Sequence, residues 1–514
     1  MPIFIYNSLK REKQEFTPLD PKGKEVKMYV CGPTVYDQPH IGHARSAYIF
    51  DVIRRYLTYR GYKVKFVRNV TDVDDKIIDK AQKEFKDEDL NTAVGKVSTK
   101  YLDLYHEDMK SLGILEPDVE PKATEYVSAE RPLMQKFIGQ LIEKGCAYVS
   151  GGDVYFNIKK AKGYGKLSNQ AIEKMESGAR IALGEKKNDP LDFALWKSAK
   201  PGEPAWDSPW GKGRPGWHIE CSVMSSDILG DEFDIHGGGI DLIFPHHENE
   251  IAQSEAAGKK FARYWIHHGL LTINAQKMSK SLGNFITING FLEQHSAIKL
   301  KIFFLSAHYH SPIDYNEAVL HSAVENEETF DIFFRKIKDY EDKIEGYKDS
   351  QESEDFKGKF IKAMNDDFNT PVALSILLEM VSAGNKNIRQ NNFVGAVSIS
   401  KTLEELLALF NLNDIKIRSQ ESESSEETVN ILGILQSEFK EQFSQYAISL
   451  VLLENISDYV GSQQRLLEAF IQLRNSAKQK KDFLLADKIR NELRNRVRII
   501  LEDTKDGTTC RKKL

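Results

Sequence analysis

Two histidines in His40-Ile41-Gly42-His43 and two lysines in Lys277-Met278-Ser279-Lys280-Ser281 are the groups in this chain best suited to handle a polyphosphate. Imidazoles at the start of a helix can donate to phosphate oxygens, where the free N–H groups and the positive dipole end already favour an anion. Gly42 leaves room for a backbone or a ring to approach closely. Lys277 and Lys280, flanked by Ser279, Ser281 and Gly283, read as a mobile basic loop that closes over a triphosphate and neutralises a departing pyrophosphate. Either motif alone is weak, since a surface turn or a solvated basic loop explains it equally well. Their presence in this order points to a site that holds a nucleoside triphosphate from both sides.

Between them lies His236-Gly237-Gly238-Gly239-Ile240-Asp241, where Gly238 and its neighbours would let the backbone approach an adenosine and Asp241 could accept from ribose hydroxyls. A second group of residues has the chemistry of metal ligands. His246 and Glu250 are four apart after Pro245 and share one face of a helix that opens there. Cys31 ends the first core strand and Cys221 lies in Trp217-His218-Ile219-Glu220-Cys221, so both could converge on the mouth of the sheet. Cys31, Cys221, His246 and Glu250 make a chemically sensible zinc set. Spacing leaves two alternatives open: His247 or Glu248 could take a neighbour's place, or the cysteines could be small core residues.

The elements that must carry these residues follow from periodicity. Residues 26–32 alternate as a buried strand, and a helix starts near Gly42 with Ile49, Val52, Ile53, Tyr56 and Leu57 on its apolar face. Gly61 is placed to end that helix, and residues 64–70 form the next strand. This β-α-β unit predicts an α/β fold with a Rossmann-like, doubly wound parallel sheet and a ligand beyond the strand carboxyl ends. Further strands are expected at residues 233–236 and 242–244. The expected domains are a catalytic core at 1–116 and 216–315, an insertion at 117–215, a helical bundle at 316–412, a Ser/Glu-rich linker at 413–428 and a basic C-terminal region at 429–514.

At about 150 residues per domain, a chain of 514 residues has room for three or four. Four cysteines without a C-x-x-C pair argue against a disulfide scaffold and for reduced thiols. No apolar run approaches the roughly 20 residues that span a bilayer, and the first residues lack a signal-peptide core, so no membrane and a cytoplasmic location are expected. The net charge of −5 hides an asymmetry: residues 471–514 hold 13 Lys/Arg against 6 Asp/Glu, a net of +7, leaving −12 on the rest. A local polyanion contact at one end fits that distribution.

The motifs around these residues resemble those of the cysteinyl-tRNA synthetases, within the class I aminoacyl-tRNA synthetases. The likeness is carried by Cys31-Gly32-Pro33-Thr34-Val35-Tyr36-Asp37, the histidine motif, Asn69-Val70-Thr71-Asp72-Val73-Asp74-Asp75-Lys76 and Gly216-Trp217-His218-Ile219-Glu220-Cys221-Ser222. It extends to Phe244-Pro245-His246-His247-Glu248-Asn249-Glu250, residues 277–284 and Ala363-Met364-Asn365-Asp366-Asp367-Phe368-Asn369-Thr370-Pro371, and so covers essentially the whole chain. The resemblance implies one zinc ion per chain on Cys31, Cys221, His246 and Glu250, with Thr71, Trp217 and His236 lining the amino-acid pocket. It implies ATP with Mg2+ held by Gly42, Gly238, Asp241, Lys280 and Ser281, and catalysis by His40, His43, Lys277 and Lys280. The implied reaction is ATP-dependent ligation of L-cysteine to its tRNA through a cysteinyl-adenylate, by a monomer. The insertion would hold the acceptor end, and the helices with the basic C-terminal module would reach the anticodon.

A thiophilic ion would also explain substrate choice. Cysteine and serine differ by one atom, which shape and hydrogen bonds separate only about a hundredfold. Discrimination of about 10⁴–10⁵ needs roughly 5.5–7 kcal/mol, and exchanging a metal–thiolate bond for an alcohol contact can supply it. One departure stands out: Cys510 follows Gly507-Thr508-Thr509 where the family has Trp. Two rival readings, a ligase joining cysteine to an amino sugar and a zinc-stabilised RNA-binding protein, fit less well. The first lacks the helical and basic extension seen here, and the second predicts decay of His40, His43 or Lys280.

Overall fold

The computed structural model describes residues 1–170, 186–278, 283–341, 344, 349–415, 426–446, 448–449, 459–497, 499–504 and 507–512. The chain divides into one unit of Met1–Glu327 with Ile344–Asn413, and a second of Glu328–Lys343 with Asp414–Leu514.

The first unit is built on the expected β-α-β element: β1 (Glu25–Val30), α1 (Ile41–Tyr59) and β2 (Lys63–Arg68). Val26, Met28, Tyr29 and Val30 are fully buried, the near-continuous apolar run that a parallel strand covered on both faces requires. Gly61 follows α1 with φ +91°, a conformation glycine adopts without strain. Beyond α1 and β2 comes an antiparallel sheet of β3 (Ala147–Ser150), β4 (Asp153–Phe156), β5 (Phe193–Ser198) and β6 (Gly213–Pro215), paired in that order. The core resumes with α2 (Trp217–Leu229), β7 (Glu232–Gly239), α3 (Glu248–Ala256) and β8 (Phe261–His268). All four core strands run parallel in the order β8-β7-β1-β2, which is the α/β, doubly wound architecture expected.

The strand expected at residues 242–244 is absent. Those residues instead form a short helical turn, Ile240–Leu242, and a segment, Ile243–His247, kinked at Phe244 (φ −132°, ψ 130°), that leads into α3. A three-residue apolar run does not distinguish strand from helix by period, and the strand that pairs with β7 is β8. Residues 118–122 also stay with the core, since Arg68 N donates to Val119 O (3.2 Å) and Val70 N to Pro121 O (2.9 Å) along the edge of β2.

After β8 come β9 (Leu271–Ile273), β10 (Gln276–Lys277) and β11 (Ile313–Tyr315), a small sheet in the order β10-β9-β11. A long helix (Glu317–Glu341) follows, and after it α4 (Gln351–Asn365), α5 (Thr370–Arg389) and α6 (Phe393–Leu409). The second unit includes α7 (Glu426–Glu438), α8 (Tyr459–Gln479) and α9 (Phe483–Arg496), around a core of Leu432, Leu435, Phe439, Phe443, Leu466, Phe470, Leu473, Ile489 and Leu493. It closes with a hairpin of β12 (Ile499–Thr504) and β13 (Gly507–Lys512). Residues 416–425 of the expected linker, Lys280, Ser281 and the side chain of Cys510 lie outside the described residues. Among the described residues no helix is long and apolar enough to cross a membrane.

Candidate active site and metal centre

The strand order reverses between β1 and β7: α1 carries the chain from β1 to β2 on one side, while β7 flanks β1 on the other. A crevice opens beyond the strand carboxyl ends at such a switch point. Cys31 stands there directly after β1, its N–H donating to Gly237 O (3.1 Å), with the glycines of β7 beside it. Close packing explains those glycines. A Cβ on Gly237 would run into the Phe50 ring of α1, and one on Gly238 would sit 2.7 Å from His247 Cε1. The glycine run therefore serves the fit of helix and turn against the strand first.

Beside Cys31 the structure gathers Cys221 from α2 with His246 and Glu250 from the turn and helix after β7. Cys31 Sγ lies 3.6 Å from Cys221 Sγ, 3.5 Å from His246 Nε2 and 3.5 Å from Glu250 Oε1. Cys221 Sγ is 3.6 Å from His246 Nε2, and His246 Nε2 is 2.9 Å from Glu250 Oε1. Metal–donor lengths of about 2.0–2.3 Å at tetrahedral angles put donors roughly 3.3–3.8 Å apart. Four donors define six edges; of these five, four fall in that window and the fifth is shorter, so two sulfurs, one nitrogen and one oxygen are a donor set of the kind zinc takes, at close to its spacing. His247 is close as well, its Nε2 3.3 Å from Cys31 Sγ and 3.9 Å from Glu250 Oε1. The donor atoms of Cys31, His246, His247 and Glu250 all lie within 4.8 Å of one another, a group that holds both histidines and leaves Cys221 out, whereas Glu248 Oε2 is taken up by the N–H groups of Leu167 (3.1 Å) and Ser168 (2.8 Å).

The surroundings hold these donors in place. Burial opposes charge on Glu250, yet His236 and His246 on its two oxygens hold its carboxyl well below the usual range. His236, fully buried, reaches Glu250 Oε2 at 2.7 Å and stacks on Trp265 at 4.3 Å. It thus acts on the cluster through Glu250. Burial pushes the Cys221 thiol up, but the contacts to Cys31 and then His246 bring it down to about 6. Burial likewise lowers His246, and Glu250 followed by Cys221 raises it to about 10. Positive imidazole beside thiolate and carboxylate is the charge pattern that a cation would replace. Trp217, 38% exposed, stacks on His246 at 4.1 Å, and Thr71 Oγ1 donates to the buried Glu220 Oε2 at 2.6 Å.

Two supporting residues were not read from the sequence. His218 Nδ1 lies 2.9 Å from His246 Nδ1, and His267 Nε2 lies 2.8 Å from His247 Nδ1. Partners on the far nitrogen of a ligating histidine fix its ring. The available signal was histidine density: His218 is next to Trp217, and His267-His268 end an apolar strand.

The histidine motif starts α1. His40 is the N-cap, its Nδ1 accepting from Gly42 N (3.1 Å) and His43 N (3.4 Å), while His43 Nδ1 accepts from His40 N (3.2 Å). A neutral imidazole accepts at one nitrogen and donates at the other, so both Nε2 atoms carry the proton. Burial, then the repulsion that a second proton on the stacked His40 ring would bring, pushes His43 down to about 3 and keeps that ring neutral. The rings stack at 3.8 Å. Gly42 is needed for the cap itself, because a Cβ there would lie 2.8 Å from His40 Cε1; it would also lie 3.5 Å from Met278 Cε. Met278 thus rests over the histidine motif, with exposed Lys277 beside it at the end of β10. Asp241 is exposed in the turn after Gly239.

Residues 16–325 match the family described as tRNA synthetases class I (C) catalytic domain, and residues 359–413, spanning most of α4 through α6, match the DALR domain. A cysteine–tRNA ligase of Anoxybacillus flavithermus is 43% identical over 518 residues, covering 100% of both chains. One from Bacillus cytotoxicus is 44% identical over 514 residues and 99% of each. Among solved structures, Mycobacterium tuberculosis methionyl-tRNA synthetase in complex with methionyl-adenylate aligns with TM-score 0.55 at 15% identity, over 81% of this chain and 96% of that one. The LeuRS–tRNA–LeuAMS ternary complex of Agrobacterium radiobacter aligns with TM-score 0.57 at 11% identity, over 79% and 86%. At such identities the likeness is one of fold.

Proposed function

Because this chain belongs to the cysteine–tRNA ligase family, we propose that it joins L-cysteine to its tRNA in an ATP-dependent reaction, through a cysteinyl-adenylate made at the carboxyl ends of β1 and β7. The observation that carries this reading is the Cys31, Cys221, His246 and Glu250 cluster, with sulfur–sulfur and sulfur–nitrogen separations of 3.5–3.6 Å, in the same crevice as a histidine-capped helix. Cys221 is favoured over His247 as the fourth donor because a second thiolate makes the site soft. Bound there, one zinc ion per chain supplies a Lewis acid that prefers a thiolate to an alcohol.

The chain's own residues do the rest. The Nε2–H groups of His40 and His43 donate to phosphate oxygens as charge grows on the α-phosphoryl group, and Lys277 on β10 neutralises the departing pyrophosphate. Lys280 and Ser281 have that role by their place in the motif. Gly42 and Gly238 keep the surfaces under the nucleotide thin, Asp241 accepts from its ribose, and Mg2+ accompanies the triphosphate. Trp217 covers the amino-acid side of His246, Thr71 lines the amino-acid pocket, and His236 sets Glu250. The substrate carboxylate attacks the α-phosphorus and pyrophosphate leaves; a ribose hydroxyl of the terminal adenosine of tRNA then attacks the acyl carbon, the acyl–phosphate bond breaks and AMP leaves. The segment holding β3–β6 contacts the acceptor end and the basic C-terminal residues contact the anticodon, in a cytoplasmic monomer. Cysteine-dependent ATP–pyrophosphate exchange, tRNA charging and zinc content test the reading together. Exchange without charging, or equal exchange with serine, would overturn it.

A further inference from the structure

Arg45 lies two residues beyond His43 on α1 and is 1% exposed. Its Nη1 donates to Gly269 O (2.6 Å) and Leu270 O (2.7 Å), and its Nη2 to Ser311 O (2.6 Å) and Tyr309 O (3.3 Å). All four acceptors are main-chain carbonyls, and Nε is buried without a partner. Taking a guanidinium out of water costs several kcal/mol, so a residue needed only to fill this space would be apolar. What the guanidinium adds is a rigid planar fork that grips two chain segments at once.

The segments it grips form the base of the small sheet that carries Lys277. Gly269 and Leu270 run into β9, and Ser311 comes just before β11. β9 pairs with β11 (Leu271↔Ile313) and with β10 (Thr272↔Lys277). A Cβ on Gly269 would run into the backbone of Ser311, so the two segments touch directly beneath the fork. The far stem of the lysine segment is also tied to the histidine motif: Ile41 N donates to Ile286 O (3.1 Å) and Ile288 N to Pro39 O (3.2 Å). Both stems of the segment that carries the lysines are therefore fastened to residues 39–45.

We infer that Arg45 is a positioning residue for adenylate formation, its fork fixing the base of the Lys277 hairpin relative to His40 and His43. This rests on the reading of those three residues as the phosphate-handling groups. A misplacement of about 1 Å can cost about 10²-fold in rate. The test is a double-mutant cycle on the full-length, zinc-loaded enzyme, read by cysteine-dependent pyrophosphate exchange. Arg45→Met is expected to lower kcat about 50-fold with the KM for cysteine unchanged within about twofold. In a Lys277→Ala background the same substitution should cost less than about threefold, because residues that act as a unit are not additive. An equal loss in both backgrounds, or a loss that appears as a raised KM for cysteine, means Arg45 only supports the fold and overturns the inference. A Lys277→Ala enzyme as fast as the parent overturns the phosphate reading and the inference together. Should Arg45→Met fail to fold, Arg45→Lys keeps charge and length without the fork. It is expected to lose about tenfold alone and less than about threefold with Lys277→Ala, under the same criteria.

Discussion

The Cys/His/Glu cluster and the lysine hairpin face one crevice but are built on opposite plans. Cys221, His246 and Glu250 are buried in or just before helices, and Glu250 is held by His236, which is itself stacked on Trp265. Lys277 is exposed on a two-residue strand, and what holds it lies at the base of its hairpin. One region has its geometry fixed from all sides; the other is fixed at its roots and left free at its tip. Reading an atom's identity, sulfur or oxygen, needs the first plan. Following a phosphate through a reaction needs the second.

The sharpest way to break this contrast is at the cluster. Cys221→Ser is expected to reduce zinc from about one per chain to below about 0.1, and cysteine-dependent exchange by at least about 10³-fold. Metal analysis on the same samples should separate the two histidines: His246→Asn loses zinc, whereas His247→Asn keeps it. Retention by the first and loss by the second would move the nitrogen donor from His246 to His247. Lys277→Ala comes next, with exchange down about 10²-fold. Its zinc content and thermal midpoint should stay at the parent's values, because an exposed side chain leaves the fold untouched.

Glycines give a smaller test. Gly238→Ala puts a methyl 2.7 Å from a His247 ring that His267 holds, and should cost about 2 kcal/mol. Gly283→Ala meets nothing within 4 Å, so only its φ of +66° is strained, at about 1 kcal/mol. Equal denaturation midpoints for the two would show that the crevice floor yields as easily as the loop. The smallest signal is the His43 ring. Held down to about 3, it should show no NMR titration between pH 8 and pH 5 in the free enzyme. The unfolded chain takes that proton first, so the ring's contribution to stability is whole above about pH 6.5 and shrinks as pH falls toward 3.

The sequence was informative where one segment decides the outcome. The β1-α1-β2 unit was legible because apolar spacing switches period within about forty residues, and the His246/Glu250 pair because four residues make one helical turn. The approach of Cys31 to Cys221 depends on which strands are neighbours, and no local pattern encodes that. The same holds for Arg45, whose carbonyl partners come from two segments after β8. Residues 242–244 misled because three apolar residues suit either period, while the pairing of β7 and β8 was already satisfied without them. Gly42 and Gly238 were noticed for close approach to a nucleotide. In the structure what approaches is first the protein's own imidazoles.

The 219 positions separating Cys31 from Glu250 have a consequence for how the protein is made. At a synthesis rate of about 5–20 residues per second, the first sulfur leaves the ribosome roughly 10–40 s ahead of the carboxylate that must stand beside it. On the proposed zinc reading, metal loading would wait on the nascent chain reaching α3, and until then Cys31 would stand without its partner donors, a thiol open to oxidants or to another cation.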